Sequence, residues 1–120
     1  MIFTLAAGML ACGGAALAAI TFSGSFDTTS ASSPVASATL TAAGAGTLRF
    51  ESVFSDGSAP AYSKNGGAWT TITEGMTLAI ADGDTLAVRA ALPVVGTQAS
   101  FNIVNDATLA LIEGVTLTRV

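Results

Sequence analysis

The 120-residue chain has no histidine, one cysteine and only twelve charged side chains, four basic and eight acidic. Charged residues make up 10% of it, against about 25% in ordinary soluble domains. Each shortage excludes something. A lone cysteine, Cys12, cannot form an intrachain disulfide, and without histidine there is no zinc site of Cys/His type. Set among alanines and glycines, Cys12 reads as a buried thiol. A serine or cysteine nucleophile would find no imidazole base. The one lysine, Lys64, adjoins Ser63, so on a strand the two point to opposite faces. Nothing among the eight acids marks a catalytic pair. The four cations, Arg49, Lys64, Arg89 and Arg119, are scattered through a chain of net charge −4. Nucleic-acid affinity needs clustered cations to neutralise phosphates, so no nucleic-acid partner is expected.

What is abundant is small or apolar. Alanine, glycine, serine and threonine exceed half the residues, and 51% of the chain is hydrophobic. The length suits one domain with its own core, and so little charge implies a surface facing other protein or lipid. Residues 1–26 carry no charge at all. As a signal peptide or lipoprotein leader ahead of Cys12, this segment lacks the basic start such leaders have. As a membrane helix it is broken by Gly8, Gly13 and Gly14 and has no flanking cation. The favoured reading makes residues 1–19 an arm that orders against neighbouring subunits, with residues 20–120 as the folded domain. The arm's apolar side chains, Ile2, Phe3, Leu5, Met9, Leu10 and Leu17, are the candidate interface. The alternative is that they pack, as strand or helix, on the chain's own sandwich.

From about residue 20 the hydrophobic period is two, the signature of half-buried strands. Ile20, Phe22 and Phe26 share one parity. Leu48, Phe50 and Phe54 alternate with Arg49, Glu51 and Ser55, and Met76, Leu78 and Ile80 with Thr77 and Ala79. Leu86 and Val88, Phe101 and Ile103, and Val115, Leu117 and Arg119 continue the pattern. Turn residues separate the runs: Gly44-Ala45-Gly46, Asp56-Gly57-Ser58, Asn65-Gly66-Gly67, Asp82-Gly83, Asn105-Asp106 and Glu113-Gly114. Asp-Gly and Asn-Gly accept the positive φ of tight turns. Short strands so spaced predict an all-β, antiparallel sandwich or barrel.

Three consecutive stretches carry a resemblance. They are Ala61-Tyr62-Ser63-Lys64-Asn65-Gly66-Gly67-Ala68-Trp69-Thr70, then Ala81-Asp82-Gly83-Asp84-Thr85-Leu86-Ala87-Val88-Arg89, then Ser100-Phe101-Asn102-Ile103-Val104. Together they resemble the immunoglobulin-like β-sandwiches of bacterial surface proteins and phage virion proteins, over about residues 35–120. The resemblance implies an immunoglobulin-like fold. With the charge-poor composition and the apolar arm, it leads to the expectation of a non-enzymatic structural protein of a tailed phage virion. That protein would be a capsid decoration or cement protein, or a head appendage, on the capsid surface. Its partners would be the major capsid or another virion protein and copies of itself, with no cofactor, metal or small-molecule substrate. The alternative is a secreted or membrane-anchored module of the bacterial envelope; a pilus-like subunit is disfavoured because Gly13-Gly14 weakens an assembly helix.

Individual residues have readings of their own. Trp69, after a glycine-rich turn, is expected to anchor the sandwich core, the alternative being a carbohydrate-stacking platform with Tyr62. Asp84 is expected to tie down its turn through backbone N–H groups. Arg89 lies on the polar parity of its strand, available to a carboxylate such as Glu51 or to a neighbouring subunit. Asp56, Asp82 and Asp84 supply only a fragment of a calcium loop and read as turn aspartates.

Overall fold

Two-residue alternation becomes nine strands and no helix among the described residues of the computed structural model, which are 20–24 and 35–120. In chain order the strands are β1 (Thr21–Ser23), β2 (Val35–Ala43), β3 (Gly46–Ser55), β4 (Ala61–Lys64), β5 (Thr70–Thr71), β6 (Thr77–Ile80), β7 (Thr85–Ala91), β8 (Gln98–Asn105) and β9 (Leu111–Thr118). They form two sheets, a five-stranded one ordered β1-β2-β7-β4-β5 and a four-stranded one ordered β9-β8-β3-β6. Every pairing is antiparallel.

The inward parities meet between the sheets. Leu40, Leu86 and Val88 from the five-stranded sheet and Leu48, Phe50, Phe101, Ile103, Val115 and Leu117 from the other are almost wholly buried. Phe50 stacks across the gap on Tyr62, with ring centroids 5.7 Å apart, and meets Phe101 edge-on at 5.6 Å. Burying each such side chain contributes about 1.5–3 kcal/mol, so these parities are the main reason the sheets face each other. Ile20 is buried and Phe22 packs against the core; Phe26, their expected companion, lies outside the described residues.

Turn chemistry follows the sequence. Asn65 and Gly66 have φ of 54° and 74°, the paired positive values of a type I′ turn, closed by the Gly67 N–H donating to the Lys64 carbonyl at 3.0 Å. Asp84 accepts the Ala81 N–H at 2.8 Å and the Asn65 amide at 2.9 Å, while Asn65 accepts the Thr85 N–H at 2.9 Å. Asp84 thus ties down its turn as expected.

Four expectations are corrected. Phe54 does not continue the Leu48–Phe50 face. Glu51 pairs with Asn102, but Phe54 pairs with Ser100, so β3 holds one extra residue there. Ser52 takes the left-handed φ of 56° at this bulge. The slip turns Val53 toward the core and leaves Phe54 half exposed on the outer face. Trp69 is also not a core anchor: it is 39% exposed, and the Arg89 guanidinium sits 4.0 Å from its ring centroid. Arg89 therefore faces the indole in the connection between β4 and β5, not Glu51, which belongs to the other sheet. Finally, Glu113-Gly114 is no turn; both residues lie inside β9.

Strand β8 fixes the two ends of the sandwich, roughly 24 Å apart at a strand's usual rise. At its start lie Val94 and Val95, tied to the C-terminal segment by Gly96 N–H donating to the Arg119 carbonyl at 2.9 Å. At its finish lie Leu109 and Leu111, beside Thr47, whose carbonyl accepts the Asp106 N–H at 2.9 Å. Ile20 packs at this second end, so close that a Cβ on Gly46 would fall 2.8 Å from its Cδ1.

Candidate functional site

The six candidate interface residues, Ile2, Phe3, Leu5, Met9, Leu10 and Leu17, lie outside the described residues, as does Cys12. What the structure does position is the end of the sandwich through which that segment enters. Ile20 shares that end with Leu109 and Leu111, whose side chains are 60% and 64% exposed. Leu109 is held at a φ of 61°, its N–H donating to the Asn105 carbonyl, so the hairpin tip holds an aliphatic side chain outward. The opposite end presents Val94, Val95 and Val120, all exposed. Large aliphatics therefore stand exposed at both ends.

The charged residues are mostly engaged within the fold. Arg49 pairs with Asp106 at 2.9 Å, the Lys64 ammonium donates to the Ala79 carbonyl at 3.2 Å, and Arg119 donates to the Leu92 carbonyl at 2.9 Å. Arg89 alone among the four cations donates to no acceptor within the described residues, and its stack on Trp69 is a cation–π contact. On the acidic side, Asp56 accepts the Gln98 N–H and Asp82 the Gly44 N–H. The bond from Asn65, then that from the Ala81 N–H, holds the Asp84 carboxyl below its ordinary pKa.

A third feature escaped the sequence reading. On the outer face of the four-stranded sheet an open groove of about 530 Å³ is lined by Ser52, Ser100, Asn102, Gly114 and Thr116, with the backbone of Phe101 and Val115 as its floor. The register explains it: Asn102 lies opposite Gly114 and Ser100 opposite Thr116 on β9, while Glu51 and Phe54 flank them on β3. The Glu74 carboxylate pins the bulge, accepting the N–H groups of Ser52 at 3.1 Å and Val53 at 3.0 Å. The side chains of Glu51, Ser100, Asn102 and Thr116 make no hydrogen bond among the described residues. The available signal was Gly114 itself, read as a turn although apolar and β-branched residues flank it on both sides.

No protein-family model, curated protein or solved structure matches this chain.

Proposed function

We propose that this chain is a non-enzymatic structural protein of a tailed phage virion, an immunoglobulin-like sandwich that decorates or cements the capsid. In this reading residues 1–19 engage the major capsid or another virion protein and copies of the chain itself. The carrying observation is that the segment joins the sandwich at Ile20, on the end that also exposes Leu109 and Leu111. An apolar arm and an apolar hairpin tip then form one continuous contact surface, and subunit burial supplies the free energy a charge-poor monomer leaves unused. The immunoglobulin-like part rests on strand order. The arrangement β1-β2-β7-β4 facing β9-β8-β3 follows the A-B-E-D and G-F-C sheets of that sandwich, with β5 and β6 added at the edges.

The test is particle binding by truncated and substituted chains. The full chain is expected to co-sediment with the particle and the chain lacking residues 2–19 to remain free. Leu109→Ser with Leu111→Ser is expected to weaken binding by about 2 kcal/mol per side chain. Unchanged binding after the deletion would refute the arm's role.

A further inference from the structure

We propose that the groove on the outer face of the four-stranded sheet is a binding site for a neutral glycan, a function separate from subunit contacts. Two locally unfavourable residues meet in it. Ser52 holds a left-handed φ of 56°, a conformation that disfavours any side chain and tends to be kept where a site needs it. Gly114 sits inside β9 with no positive φ to require glycine, and a Cβ there would meet nothing closer than Asn102 Oδ1 at 3.6 Å. A strand-interior glycine weakens its sheet and often marks a bulge or a place where a ligand or another backbone approaches closely. Gly114 follows the register irregularity between Leu111 and Glu113, and its missing side chain is what leaves the groove open.

The lining chooses the ligand. Asn102 offers an amide donor pair and a carbonyl acceptor, and Ser52, Ser100 and Thr116 offer hydroxyls that donate or accept. None of the lining side chains is charged, and the neighbouring ionisable groups, Glu51 opposite Asn102 and Glu74 on the Ser52 N–H, accept hydrogen bonds from hydroxyls and repel anions. Phe54 stands directly across from Ser100 with half its surface exposed. An aromatic face beside several amphoteric polar groups matches the apolar face and hydroxyl rim of a sugar ring. A peptide strand would pair through free backbone groups at a sheet edge, whereas β8, the strand under the middle of the groove, has its backbone engaged in ladders on both sides.

Saturation-transfer NMR on the full chain, against neutral gluco-, galacto- and chito-oligosaccharides and against hyaluronate oligosaccharides, tests this. At least one neutral probe is expected to bind below about 10 mM, with Phe54→Ala and Asn102→Ala each weakening it about tenfold. Gly114→Val is expected to abolish binding while the melting temperature holds or rises, which separates groove filling from misfolding. Trp69→Ala and Arg89→Ala, on the other sheet, are expected to leave it unchanged. Failure of every neutral probe, preference for hyaluronate, or Gly114→Val binding like the parent would each overturn the proposal. None of these outcomes bears on particle binding through the arm.

Discussion

At residue scale the fold is held at its turns by side chains that replace missing backbone partners. Asn65 does this for the Thr85 N–H and also donates to the Asp84 carboxylate, while adopting positive φ. Asn65→Gly keeps the backbone but loses both bonds, so it is expected to destabilise by about 1–2 kcal/mol. Asn65→Ala loses the bonds and adds the left-handed penalty, about 1 kcal/mol more. Urea unfolding of the pair measures the difference; equal losses would mean that the turn relaxes. Asp84 gives the fold a pH dependence. Its folded-state pKa is lowered, first by the bond from Asn65 and then by the Ala81 N–H. A group lowered in this way stabilises the fold above its unfolded value of about 3.9 and loses that contribution as pH falls through the folded value. Asp84→Asn is therefore expected to melt below the parent at neutral pH and to approach it under acid. A melting difference that widened in acid would contradict the assignment.

At the scale of elements, strand existence was readable because burial on one face imposes period two. The Leu86–Val88, Phe101–Ile103 and Val115–Leu117 pairs point inward as their alternation requires. What was not readable is where a strand gains a residue. The bulge at Ser52 is set by Glu74, twenty-two positions away, and no local pattern around Phe54 reports it. Trp69 misled for a related reason: its size argued for the core, but its ring rests on Arg89, a contact made across the sheet and not along the chain. Two element-scale outcomes follow. Glu74→Ala leaves two bulge N–H groups without their acceptor and is expected to cost about 1–2 kcal/mol, with loss of order at Ser52 and Val53 seen by amide exchange. Gly57→Ala would drive a Cβ into the Ala91 carbonyl oxygen, where the β3–β4 connection crosses β7. Backbone must move there, so a loss of about 2 kcal/mol is expected. Thermal melting no worse than the parent would show that the connection is slack.

At the scale of the whole molecule, the chain is a sandwich whose interior is complete and whose ends are not. Its acids and three of its four cations serve internal bonds or pairs for the most part, leaving few charges to advertise solubility, while Leu109, Leu111, Val94, Val95 and Val120 remain in water. The composition led to the expectation of a surface facing other protein or lipid, and these exposed aliphatics are what the structure sets beside that expectation. The groove was not legible, since it is assembled by register across three strands from serine, threonine, asparagine and glycine, residues ordinary on any exposed sheet face.

The central claim, that the chain belongs to a particle and reaches it through its apolar segment, is tested most directly by density-gradient fractionation of native material with intact-mass determination of the chain in each fraction. The account predicts co-sedimentation with megadalton particles at the full mass from Met1. Recovery in membranes or medium, with residues up to about Ala19 missing or a lipid on Cys12, would contradict it and make the chain an envelope module.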